Sequence, residues 1–171
     1  MQLSYGGRQR DRYRRALAHL HDENGLWIQG EMLRLGMARV YSFPDNRTLV
    51  GRMLDLEREA RAAKRGIWAH PFYRIRNPHE SGDDIDSFQI VERRVVSAAV
   101  VKGGGYLNFG KDWRRNFTFS VRYKARQLFA KLGIDIEDLT GQRVRGRGWL
   151  KLRNGPLIEL THPEQLEILP D

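Results

Sequence analysis

The 171-residue sequence predicts an α+β protein rich in β-barrel structure, built as two successive domains. Three observations predict it. Two stretches, Trp27 to Leu35 and the residues after Asn46 to about Arg65, carry apolar side chains at the three- and four-residue spacing of helices. The region from Phe88 to Leu169 breaks into short, β-prone runs separated by Gly, Pro and Asn, the pattern of strands and turns. Between these regions the composition turns acidic and turn-forming at Asn77-Pro78-His79-Glu80-Ser81-Gly82-Asp83-Asp84. That shift marks a linker over 77–87, with one domain at 1–76 and another at 88–171.

Each element has a local reason. In residues 1–5, Leu3 and Tyr5 alternate with Gln2 and Ser4, which suits a short strand turned by Gly6-Gly7. Arg15 to His21 reads as a second strand with Leu17 and Leu20 apolar, and Asn24-Gly25 as a turn. A first helix follows from about Trp27 to Leu35, with Ile28, Met32, Leu33 and Leu35 on its apolar side and Gly36 at its stop. Met37 to Phe43 is extended, and Pro44-Asp45-Asn46 breaks the chain. The second helix sets Leu49, Met53, Leu56, Ala60 and Ala63 on one side. The charged remainder, which includes Glu57 four residues before Arg61, reads as a solvated face. Gly66 caps it, and Ile67 and Trp68 fold back into the core.

After the linker the expected order is a long strand (Phe88 to Val101), a turn at Gly103-Gly104-Gly105, a strand (Tyr106 to Phe109) and another from Asn116 to Tyr123. A helix from about Lys124 to Leu132 precedes strands near 143–150, 156–160 and 165–169. Three strands, one helix and two or three further strands is the element order of an OB-type barrel.

A formal charge of +9 favours a polyanionic partner, nucleic acid before an acidic membrane surface. The absence of cysteine excludes disulfide scaffolds, cysteine zinc sites and thiol nucleophiles. No apolar run approaches a membrane span, and Met1-Gln2-Leu3-Ser4-Tyr5-Gly6-Gly7-Arg8 has no signal-peptide core. As written the chain reads as cytoplasmic, with export left open if a signal belonged to a preceding segment.

The block Asp11-Arg12-Tyr13-Arg14-Arg15-Ala16-Leu17-Ala18, followed by Gly36-Met37-Ala38-Arg39-Val40 and by Gly66-Ile67-Trp68, resembles the staphylococcal-nuclease-like (thermonuclease) family. The resemblance covers roughly the C-terminal half of that family's domain. It implies that residues 1–68 correspond to the last two strands of an OB-type barrel and its last two helices. Tyr106-Leu107-Asn108-Phe109-Gly110 and Gly155 to Gln165 are similar to a C-terminal extension on some bacterial members. The resemblance implies calcium held by two Asp, a Glu acting on water, and two Arg clamping phosphate. Only the second Arg has a counterpart here, Arg15, which is therefore expected to contact phosphate. Arg12 and Tyr13 become its nucleotide-facing neighbours, with Tyr13 either stacking on a base or bonding phosphate, or else packing against the barrel. Asp11 reads as a turn or salt-bridge residue, and Arg14 stands where the family usually has Gly.

No metal is expected in this chain, and Ca2+ only if the missing front half is present. Asp83-Asp84-Asp86 and Asp135-Glu137-Asp138 read as solvated charge rather than metal sites, and His19/His21 either as a weak metal pair or, more often for such spacing, as surface pairing. The second domain favours binding. From Arg93 to Lys131 one acid, Asp112, stands against a run of Lys and Arg interleaved with Tyr106, Phe109, Trp113, Phe117, Phe119 and Tyr123. Lys111, Trp113, Arg114 and Arg115 either form an exposed loop that grips single strands, or Trp113 fills the barrel while the charges stay solvated. Phe117 and Phe119 belong to the core in both cases.

Three functions follow as expectations. The first is a truncated thermonuclease-like protein, hydrolytically inactive, that binds single-stranded DNA or RNA. The second is a calcium-dependent nuclease whose N-terminal half lies outside this sequence. The third is a noncatalytic interaction module, a homo- or hetero-oligomer whose open barrel edge a partner strand completes.

Overall fold

The computed structural model describes residues 1–170 and divides the chain into two compact units, Met1–Arg74 and a second from Ile75 onward. In the first unit β1 (Gln2–Ser4) pairs antiparallel with β2 (His19–His21), with Leu3 opposite Leu20. The second strand was expected to start at Arg15, but only its last three residues pair with β1. A turn at Asp11–Arg15 takes up the chain before it.

The first helix, α1 (Ile28–Arg34), ends as Gly36 was expected to end it. Gly36 lies at φ 71°, with its N–H on the Leu33 carbonyl and the Met37 N–H on the Met32 carbonyl, which together satisfy the last free carbonyls of the helix. The second helix, α2 (Val50–Ala62), closes differently. Lys64 takes the left-handed cap at φ 51°, and the Arg65 N–H returns to the Ala60 carbonyl. Gly66 serves instead as a contact with Gly36. A Cβ on Gly66 would sit 2.3 Å from the Gly36 carbonyl oxygen, and the Ile67 N–H bonds that oxygen at 2.9 Å. Two glycines thus let the ends of the two helices meet backbone to backbone.

The buried stripe of α2 is Val50, Leu54, Glu57 and Ala60, displaced from the expected one. Leu33, Val40, Val50 and Leu54 form the core, with Ala38, Met53 and Leu56 packed beside it. Glu57, expected on the solvated face, is fully buried. Its carboxylate accepts the Val40 N–H at 2.7 Å and Arg61 Nη1 at 3.0 Å. The extended segment around Val40 has no partner strand, so a buried N–H there needs a side-chain acceptor, and Glu57 supplies it.

In the second unit the segment expected as a linker contains a 3-10 helix over Pro78–Asp84. Asn77 caps it by accepting the His79 N–H, and Glu80 reaches back to the Asn77 N–H. Arg76, buried, pairs with Asp84 at 2.6 Å, so Asp84 is an ion-pair partner rather than a free surface charge.

The strands are β3 (Phe88–Arg94), β4 (Ser97–Val101), β5 (Gly104–Asn108), β6 (Thr118–Val121), β7 (Arg143–Leu152), β8 (Pro156–Leu160) and β9 (Leu166–Leu169), with α3 (Tyr123–Ala130) after β6. The long strand expected over 88–101 is broken at Val95-Val96 into β3 and β4. The sheet runs β3-β7-β8-β6-β5-β4, with β9 beside β7, and β6–β8 is its parallel pair. This α+β arrangement is consistent with an OB-like fold. The path starts and ends on the two halves of one chain segment. Among the described residues no ladder joins β3 to β4, so the sheet curves without a closed ring of hydrogen bonds. Val95 N–H to Gln142 and Val96 N–H to Asn108, both at 2.9 Å, bridge the corner.

Period-two alternation sorts the side chains. Leu107, Phe119, Val121, Leu150, Ile158 and Leu160 point into the core, joined by Phe109 and Phe117. Phe119 packs edge-on against Phe109 and Phe117 with ring centroids 5.2 and 4.9 Å away. Gly146 makes room for it, since a Cβ there would lie 2.3 Å from the Phe119 ring. The opposite face of β7 carries Arg143, Arg145 and Arg147. Arg145 pairs with Glu92 at 2.7 Å, and Arg147 with Glu167 at 3.0 Å.

Candidate nucleic-acid interface

Two basic and aromatic clusters follow from this scaffold, one in each unit. In the first, Asp11 organises a turn. One carboxylate oxygen accepts the N–H groups of Tyr13 (2.8 Å) and Arg15 (2.9 Å), and the other takes Arg15 Nε at 2.6 Å. Asp11 is thus both turn and salt-bridge residue. Desolvation pushes its carboxyl upward, but the Arg15 side-chain bond, the two backbone donors and the Arg15 charge outweigh it and hold the group below its ordinary 3.8. Arg14 lies at φ 64°, in the left-handed region where Gly is unstrained, so the position where the family has Gly requires that backbone.

Tyr13 is 63% exposed, so it does not pack into the core. The guanidinium carbons of Arg12 and Arg15 lie 4.7 and 5.3 Å from its ring centroid, both within cation–π range. The Arg15 side chain is 74% exposed, with its Nε bonded to Asp11.

Calcium needs six to eight oxygen ligands. Among the described residues no group of three or more His, Asp or Glu side chains gathers, and both Asp11 oxygens are engaged within the turn. His19, half of the two-residue-spaced pair, accepts the Trp27 indole N–H at 3.2 Å. Burial first, and the neighbouring His21 second, push its imidazole below 6.5.

The second cluster surrounds a groove of about 620 Å³ on the outer face of β4, β5, β6 and β8. Its floor is the set of residues that alternate with the core. Ladder register aligns Ala99, Tyr106, Ser120 and Glu159 in one row across the sheet, because Tyr106 is opposite Ala99 and Ser120, and Ser120 opposite Glu159. The turns at both ends supply cations, Lys102 between β4 and β5 and Arg153 between β7 and β8. Tyr123, 55% exposed, and Trp113, 52% exposed, rise at the sides.

Trp113 stands on a loop ordered by Asp112, which accepts the Arg114 N–H at 3.0 Å and pairs with Arg115 at 3.8 Å. The Arg114 guanidinium lies 4.8 Å from the Trp113 ring centroid. Among the expected binding residues only Trp113 lines the groove. Lys111 and Arg114 are exposed beside it, and Arg115 lines a separate hollow with His79 and Pro156. Lys102, Ser120, Arg122, Arg153 and Glu159 were not singled out from the sequence. Their signal was available: each lies on, or at the end of, a strand whose alternate residues form the core.

The fold and the groove define an OB-like unit carrying an open basic and aromatic face, preceded by a small α+β unit. Within that preceding unit, residues 2–70 match the family described as staphylococcal nuclease homologue. An uncharacterized protein of Bacillus anthracis is 36% identical over 80 residues, 46% of this chain and 37% of that relative. The chain therefore spans little more than a third of the length of the relative it matches. No helix among the described residues is long and apolar enough to cross a membrane.

Proposed function

We propose that this thermonuclease-like chain binds single-stranded nucleic acid in the groove of its second unit, and that residues 1–171 do not cleave it unaided. One observation carries the reading: three partly exposed aromatic rings, Tyr106, Trp113 and Tyr123, face one groove whose rim carries Lys102, Arg122 and Arg153. Aromatic faces stack on unpaired bases, each stack contributing about 1–3 kcal/mol, and the cations meet the backbone phosphates. Lys111, Arg114 and Arg115 add to the local positive field that draws a strand in. In the first unit Arg15, with Arg12 and Tyr13 beside it, offers a phosphate contact, since its side chain is mostly exposed while Asp11 engages its Nε.

The test is titration of a labelled oligothymidylate of about ten nucleotides at rising salt. Binding should weaken with a slope of about −0.7 per phosphate neutralised. No affinity at low salt would sink the reading. With calcium added the strand should remain intact; robust cleavage, lost with a chelator and with Arg15→Ala, would overturn the nonhydrolytic part.

A second reading places this segment in a longer calcium-dependent nuclease whose carboxylates lie outside residues 1–171. The held, solvent-facing Arg15 favours it, because such a guanidinium suits charge building on a phosphoryl oxygen.

A further inference from the structure

Glu159 is the sole acid among the described residues lining the groove. In a site that attracts phosphate, a carboxylate raises the electrostatic cost of a backbone passing over it, so its position calls for a ligand group other than phosphate. The side chain is 22% exposed, and one oxygen pairs with Arg122 Nη2 at 2.9 Å, while Arg122 is itself mostly exposed. An acceptor on the floor of the groove thus stands next to a donor on its rim.

We infer that the Arg122–Glu159 pair reads the Watson–Crick edge of one unpaired base and selects guanine. This rests on the nucleic-acid reading above and deepens it. Guanine presents, in order along that edge, one acceptor (O6) and two adjacent donors (N1–H and N2–H). A carboxylate accepts the two donors in a bidentate pair, and the neighbouring guanidinium donates to O6. Adenine and cytosine each set one donor beside a ring-nitrogen acceptor that repels the carboxylate. Thymine and uracil flank their single donor with two carbonyl oxygens.

The sheet supplies the stacking surface in the same row. Tyr106 and Glu159 lie two strands apart, each step about 4.8 Å, with Ser120 between them. The ring of Tyr106 lies back along β5 over Gly104, where a Cβ would be 3.6 Å from its hydroxyl, so the ring forms a platform instead of standing upright. A purine stacked on that platform directs its edge across Ser120 toward the pair. Leu157, Ala99 and Val101 keep the surrounding floor apolar, which strengthens hydrogen bonds made there.

The experiment measures fluorescence anisotropy of the full chain with labelled oligothymidylate carrying a single central guanine, hypoxanthine or adenine, or none. Guanine should tighten binding roughly 5- to 100-fold over thymine, the range of a good bidentate base contact. Hypoxanthine, which lacks the N2 amino group, should recover only part of the gain, and adenine none. Glu159→Gln should abolish the guanine gain, so that the four strands bind alike, whereas a role confined to holding Arg122 would shift all four strands together and keep the guanine gain. Equal wild-type affinity for the four strands, which needs no variant to read, would overturn the inference and leave nucleic-acid binding standing. Failure to bind any of them would overturn both.

Discussion

The turn at Asp11–Arg15 and the groove of the second unit are built from the same kinds of residue and present them in opposite ways. In the turn, two guanidinium groups lie against the single ring of Tyr13, and Arg15 is also tied to Asp11. Its aromatic and cationic groups engage one another. In the groove the rings of Tyr106, Trp113 and Tyr123 border one concave space of about 620 Å³, with Lys102 and Arg153 at its ends. Composition alone does not make a binding surface. The gathering of three rings around one concave space distinguishes the second cluster from the first, although Trp113, like Tyr13, carries a guanidinium over its face.

The strongest way to break the comparison is to remove the scaffold under each cluster. Phe119→Ala should destabilise the second unit by about 3–5 kcal/mol, because its ring sits among Phe109 and Phe117 with no exposed surface. Glu57→Ala should cost the first unit about 3–5 kcal/mol, by removing the buried carboxylate that accepts the Val40 N–H and Arg61 Nη1. Chemical denaturation of each variant checks both values. A loss below about 1 kcal/mol at either site would show that the packing described does not support that unit.

A sharper contrast comes from the rings themselves. Tyr106→Ala should weaken oligothymidylate binding by roughly 5- to 100-fold, the loss of one stacked base. Tyr13→Ala should change it by less than the roughly fivefold that a lost stack implies. Equal effects would erase the distinction between turn and groove. The smallest effect concerns pH. The folded-state carboxyl of Asp11 titrates below its ordinary 3.8, so the clasp adds stability above that value and loses it as pH falls through the lower, folded value. NMR titration of the Asp11 carboxyl should therefore give a midpoint under 3.8, and a midpoint at or above it would mean the Arg15 clasp is not held in solution.

Much of this architecture was legible because local signals agreed with the fold. Gly36 stops α1, Phe117 and Phe119 enter the core, and the strand, helix, strand order of the second unit appears nearly as its turn residues mark it. The discrepancies have physical causes. Glu57 looked solvated because a helical charge pair usually is; its burial depends on the backbone N–H of Val40, seventeen residues earlier, which donates to it and which no local pattern exposes. The break at Val95-Val96 depends on one segment serving both ends of the sheet path. Trp113 was legible as a candidate, but Glu159, Arg122 and Arg153 meet it only through strand pairing between distant segments. Alternation gives the face of a residue; register gives its neighbours.

The central claim, that the groove of the second unit is where single strands bind, is tested most directly by mapping NMR chemical-shift changes on the full chain during titration with oligothymidylate. The account predicts that the perturbed residues centre on Lys102, Tyr106, Trp113, Ser120, Tyr123 and Arg153. Perturbations confined to Asp11–Arg15, or spread evenly over exposed cations of both units, would contradict it.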